Sequence, residues 1–181
     1  MRSIPVIALV AVAAYVGPRF GELAGLQRKH INPLKREITI EQQLSTVAGR
    51  TEIRPPKSKA GYRTVTMPDS VATLVNNHLE QFTDPSPEAF VFTTINGSTL
   101  DRGNFRQRVW LSACREAGVT GVRFHDLRHV AGTLAASSGV PLKALMQRLG
   151  HTTVDVALVY QHAVQADDET IARRIDAVIN R

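Results

Sequence analysis

Four residues in the C-terminal half of the chain have types suited to work on a phosphodiester: His125, Arg128, His151 and Tyr160. His125 and Arg128 stand three apart in His125-Asp126-Leu127-Arg128-His129, a spacing that puts both on one face of a helix. His151 follows a helix-stopping glycine in Leu149-Gly150-His151, and Tyr160 comes nine residues later. A phosphodiester in transfer gathers negative charge on its non-bridging oxygens. Guanidinium suits that charge because it is permanently cationic, planar and forked. Imidazole can donate a hydrogen bond or move a proton near neutral pH. A phenol, whose ordinary pKa near ~10 is lowered by neighbouring cations, can attack phosphorus and leave again. Singly, each group is ordinary. A tyrosine near the end of a chain usually packs, a histidine after a glycine is often a cap, and His-x-x-Arg arises often by chance.

The elements that must position these groups are mostly helices. Asp101–Ala117 reads as one helix ended by Gly118, and His125–Ser137 as another ended by Gly139. Pro141 sits at the first turn of a third that stops at Gly150. Thr153–His162 and Asp167–Ile179 read as two more, the last with Ile171, Ile175 and Val178 on one stripe. Upstream, residues 3–16 form an apolar helix ended by Gly17-Pro18, and Arg19–Arg28 a short second one. The texture then changes. Glu37–Ser45 alternates as a strand, and Thr51–Pro56 and Arg63–Met67 read as two more around a Pro/Gly/Lys turn. Asp69 can cap a helix that runs to Phe82. The fold class is therefore α+β: mainly helical, with a small antiparallel sheet in the N-terminal third that carries an exposed basic hairpin.

Taken together and in this order, the C-terminal blocks resemble the signature of the tyrosine recombinases and phage integrases. Tyr15-Val16-Gly17-Pro18-Arg19-Phe20-Gly21-Glu22-Leu23-Ala24-Gly25-Leu26 resembles the segment around that family's first catalytic arginine. Pro56-Lys57-Ser58-Lys59-Ala60-Gly61-Tyr62-Arg63 resembles the hairpin that holds its catalytic lysine. Four blocks from residue 15 to 160 match in sequence order. The resemblance implies that Tyr160 attacks the scissile phosphate, leaving a 3′-phosphotyrosyl link and a free 5′-hydroxyl. Arg19 and Arg128 would hold the non-bridging oxygens, His125 would assist proton movement, and His151 would donate a hydrogen bond to the phosphate. A hairpin lysine would protonate the leaving oxygen; Lys57 is favoured because it directly follows the strand, with Lys59 as the alternative. No metal or nucleotide cofactor is implied, because the phosphotyrosine conserves the bond energy. Pro18 stands where the family often has leucine. Relatives usually carry an N-terminal helical domain that clamps DNA, and the expectation here is a single catalytic domain over 1–181 without it.

Composition agrees with a polyanionic partner. Lys plus Arg total 22 against 16 Asp plus Glu, a formal net charge of +6, and the sequence pI is about 10.0. The expected partner is double-stranded DNA, with self-association into a synaptic tetramer on it, and no small-molecule substrate. Ile4–Val16 is too short to span a bilayer and lacks a cleavage site after it, so no membrane partner and a cytoplasmic location are expected. Cys114 is the single cysteine, without a CxxC partner, and reads as a small buried apolar residue. Two other readings compete. Pro141–Gly150 followed by Thr153–Tyr160 has the look of a helix-turn-helix, which fits a DNA-binding module that does not cut. A type IB topoisomerase would share the tyrosine chemistry while needing only one active protein.

Overall fold

In the computed structural model, which describes residues 6–47, 50–154 and Leu158, the apolar N-terminal run forms helix α1 (Val6–Tyr15). Val12 and the following Val16 have no exposed surface, and Ala8, Leu9, Ala11 and Ala13 are buried with them. A helix apolar all round must be covered on several sides. Here α3 (Asp69–Phe82) and α6 (Asp126–Ser137) pack on α1. No described helix is long and apolar enough to cross a membrane.

The second helix is half the expected length. α2 (Phe20–Ala24) stops at Gly25, and a 3₁₀ turn over Arg28–His30 follows. The cause is close packing. Gly21 and Gly25 lie against the backbone of β3 (Gln43–Val47), and a Cβ on Gly21 would sit 2.7 Å from the Leu44 carbonyl oxygen. The single strand expected over 37–45 is accordingly two. β2 (Glu37–Ile40) is the centre of an antiparallel sheet ordered β1 (Ile31–Asn32), β2, β5 (Arg63–Thr66). β3 pairs instead with β4 (Arg50–Arg54) in a separate hairpin. Between them the Gln42 side chain donates to the Gly25 carbonyl at 2.7 Å, so the chain turns at the end of α2 and leaves the first sheet. Ile38 and Val65 face each other across β2 and β5, and both are buried. Every residue of β4 is exposed.

α3 keeps its expected span, but Asp69 is its first helical residue and not its cap. Pro68 occupies the cap position, and the Asp69 carboxylate pairs with Arg36. The helix expected over 101–117 is interrupted. α4 (Arg102–Phe105) is capped by Asp101, whose side chain accepts from Asn104 N at 2.8 Å. A turn wound as a π-helix follows (Arg106–Trp110), then α5 (Leu111–Glu116). The wider turn lets Phe105 and Trp110, five apart, both reach the core. Cys114 packs against that core but is only half-buried. α7 (Leu142–Leu149) starts after Pro141 and ends at Gly150, which adopts φ 66° and ψ 44°. Leu145 and Leu149 of α7 form a second, smaller apolar cluster with Ala131 and Ala136 of α6.

Candidate active site

The last turn of α7 is where the distant segments meet. A helix ends with carbonyls that have no intrahelical partner and with the negative pole of its dipole. Three successive carbonyls here are each taken by a different guanidinium. Arg63 Nε donates to Arg148 O at 3.0 Å, Arg128 Nη2 donates to Leu149 O, and Arg19 Nη2 donates to Gly150 O at 3.3 Å. Arg128 also donates through Nη1 to the carbonyl of Gly17, two residues before Arg19. One buried arginine, 4% exposed, thus ties the α1–α2 junction to the end of α7. Arg148 itself closes the arrangement from the other side, donating to Tyr15 O at 3.0 Å and Thr66 O at 3.2 Å. Its own pKa is lowered by burial.

Gly150 is required twice over at this point. Its left-handed backbone turns the chain, and a Cβ there would fall 2.8 Å from both Ala60 O and Arg63 Nη1. The turn delivers His151, which is 8% exposed, into the ring of arginines. Burial, then the charges of Arg128, Arg19 and Arg63, push its pKa down to about 4. His151 is therefore neutral at pH 7. A groove of about 610 Å³ between β5 and α7 has His151, Arg63, Arg148 and Lys143 in its lining.

Arg19 is held from behind. Glu22, on the first turn of α2, accepts from Arg19 N at 2.8 Å and from Arg19 Nη1 at 2.9 Å. Its other partner is Arg63, which forks onto the same carboxylate at 2.8 and 3.3 Å. Burial alone would raise the Glu22 pKa, but the hydrogen bonds and charges of Arg63 and Arg19 bring it below the ordinary value. The Arg19 side chain remains 43% exposed, whereas Glu22 is 2% exposed.

His125 enters by an apolar route. Its neighbour Phe124 packs edge-on against Phe20, Phe105 and Trp110, with centroids 5.6, 5.1 and 5.2 Å apart. Trp110 Nε1 donates to Val122 O at 2.9 Å, which fixes the same segment. Phe20 follows Arg19 and Phe124 precedes His125, so one aromatic contact joins the two segments that carry these polar groups. His125 occupies the cap position of α6 with helical dihedrals, three residues from Arg128 as the spacing demands. His125 is exposed, yet its pKa is lowered by partial burial and by the charges of Arg128, His129 and Arg102, against Asp126. Lys57 and Lys59 are exposed on the turn between β4 and β5.

The Phage integrase family profile matches residues 2–166, nearly the whole chain. The chain belongs to the phage integrase family. It is 36% identical over 169 residues to a prophage phiRv2 integrase of Mycobacterium tuberculosis, covering 93% of this chain and 45% of that protein. It is also 36% identical to the integrase of Mycobacterium phage L5, covering 89% of this chain and 44% of the relative. The chain thus spans somewhat under half the length of these relatives. Among solved structures it is similar to the Tn1549 transposon integrase in complex with transposon right-end DNA. That match has a TM-score of 0.78 at 19% identity, over 97% of this chain and 59% of the other. XerA recombinase gives a TM-score of 0.71 at 21% identity, covering 97% and 57%.

Of the residues this integrase-family sequence singles out, Arg19, Arg128 and His151 converge on the end of α7, and His125 stands one helical turn from Arg128. Tyr160, most of the helix expected over 153–162, and the one over 167–179 lie outside the described residues. Neither motif nor spacing singles out Arg63 or the Phe20–Phe124 contact. Glu22 carries only a local signal, standing three residues after Arg19 at the position from which a carboxylate reaches back to a helix start.

Proposed function

We propose that this chain is the catalytic part of a site-specific DNA recombinase that cuts and rejoins strands through a 3′-phosphotyrosyl intermediate. The observation that carries the reading is the convergence of Arg19, Arg128 and His151 on the end of α7. Two permanent cations and one neutral imidazole, brought from residues 19 to 151, suit a pentacoordinate phosphoryl centre. The substrate is double-stranded DNA, a reading supported by the similar Tn1549 integrase, whose structure is in complex with transposon right end DNA.

In this reaction the Tyr160 oxygen attacks phosphorus and its proton passes toward His125. The P–O5′ bond breaks, and the leaving 5′-oxygen takes a proton from Lys57, with Lys59 as the other candidate. The bond energy stays in the phosphotyrosyl ester, so the reverse attack by a 5′-hydroxyl of another strand reseals DNA without an added cofactor. Arg19 and Arg128 stabilise the charge on the non-bridging oxygens. His151, neutral at pH 7, serves as a hydrogen-bond donor there. Exchange between two duplexes calls for four such sites in one synaptic assembly. The clamp domain usual in relatives would supply site recognition and affinity.

A nicked suicide duplex, from which the short cleaved fragment diffuses away, tests this directly. The native chain is expected to form a covalent protein–DNA adduct, and Tyr160→Phe none. Binding without an adduct would leave a non-cutting DNA-binding module. Relaxation of supercoiled DNA by the monomer without strand exchange would favour a topoisomerase.

A further inference from the structure

We propose that Arg63 is a positioning residue for strand transfer: it does not touch the phosphate, but holds the first arginine, the helix end bearing His151 and the lysine turn in one register. The inference rests on the function proposed above. Arg63 sits on β5, and its side chain is only 5% exposed. Four hydrogen bonds spend its planar fork inside the protein. Nε donates to Arg148 O at 3.0 Å, on the last turn of α7. Nη1 donates to Gly61 O at 3.0 Å, within the turn that carries Lys57 and Lys59. Nη1 and Nη2 grip the two oxygens of Glu22 at 3.3 and 2.8 Å.

Glu22 relays that grip, since the same carboxylate holds Arg19 through both its backbone N–H and Nη1. The absence of a Cβ on Gly150 lets the α7 end lie flush against Arg63 Nη1. Three elements that supply three different groups to the chemistry therefore share one buried guanidinium. Arginine is the side chain for this task because its five N–H bonds lie in a fixed plane, so a carboxylate and two carbonyls can be met from one centre. Lysine, a point charge with three donors on a flexible stem, can keep the ion pair with Glu22 but cannot reproduce that plane.

A simpler role, neutralising Glu22 so that the domain folds, makes the opposite prediction. The charge-free pair Glu22→Gln/Arg63→Met would then restore activity along with stability. The test is single-turnover cleavage of the nicked suicide duplex at saturating DNA by the 181-residue chain, with DNA affinity and Tm measured alongside. Adduct formation by the native chain is the control; its failure counts against the proposed function and not against Arg63.

Given that adduct, Arg63→Lys is expected to keep DNA affinity within about threefold while cleaving roughly 10- to 100-fold slower, the effect of ångström-scale misplacement. The charge-free pair is expected to recover Tm but not rate. A folded Arg63→Lys protein that cleaves at the native rate, or full recovery of rate in the charge-free pair, would overturn the proposal.

Discussion

The end of α7 and the β3–β4 arm with its lysine turn are opposite solutions to placing a charged group. At α7 the charges are tied and, Arg19 apart, buried: Arg128 and Glu22 are 4% and 2% exposed, and carbonyls or carboxylate oxygens meet each guanidinium. On the arm, all of β4 is exposed, and Lys57 and Lys59 stand in solvent at its end. A group that must meet phosphate in fixed geometry gains from being preorganised before substrate arrives. A group that must deliver a proton to a departing oxygen needs reach, and a flexible stem on an exposed turn supplies it. Substitutions at the α7 end should therefore move stability and activity together, and substitutions on the arm activity alone.

The largest separation is expected from Arg128→Met. It removes two charge-assisted hydrogen bonds and leaves the Gly17 and Leu149 carbonyls to find other partners. At about 1.5 kcal/mol or more for each bond, unfolding should need roughly 3 kcal/mol less. Urea titration checks this, and the suicide duplex should give no adduct. An unfolding free energy within about 0.5 kcal/mol of native would break the contrast at its stronger pole.

Acidification should act next. His151 has its pKa held at about 4 in the folded protein, against 6.5 ordinarily. Between those values the unfolded chain binds a proton that the folded one refuses, so stability is fully present above pH 6.5 and is lost as pH falls toward 4. From pH 6.5 to 5 this amounts to roughly 1.5 kcal/mol from His151 alone. His30, His78 and His125, also lowered, act in the same direction. His151→Gln should flatten the pH dependence of the urea midpoint by His151's share; an unchanged slope would mean that this histidine does not titrate as its surroundings imply.

Gly150→Ala comes third, at about 1–2 kcal/mol for an alanine at positive φ. The predicted contact with Ala60 O should also slow cleavage, because that carbonyl belongs to the lysine turn. Lys57→Ala comes last in stability, within about 0.5 kcal/mol of native as for most exposed side chains. Cleavage of the ordinary duplex should nonetheless fall strongly. A substrate with a 5′-phosphorothiolate leaving group, which needs no proton, should restore it. If Lys59→Ala behaves this way and Lys57→Ala does not, the roles of the two lysines exchange.

Much of this was readable without coordinates because it depends on local spacing. His125 and Arg128 share a helical face by arithmetic, the α7 stop follows from Gly150, and the apolar character of α1 announces its burial. What escaped is long-range or steric. Nothing local to Arg63 shows that its guanidinium meets residues 22 and 148. The break between β2 and β3 follows from glycines on α2 that admit a neighbouring backbone, and the π turn from two aromatic residues drawn to one core. The strand pattern over 37–45 and the helix pattern over 101–117 are each regular in sequence and interrupted by partners far along the chain.

The contact between Phe20 and Phe124 has a consequence for exchanging parts among relatives. The residues beside it, Arg19 and His125, come from segments more than a hundred positions apart, and those segments meet through two rings and the indole behind them. A chimera that takes the stretch around Phe124 from one integrase and the stretch around Phe20 from another would inherit every polar group intact. It could still lose its register, because rings of different size would meet at the seam. Recombining such domains calls for crossover points that move the aromatic partners as a unit.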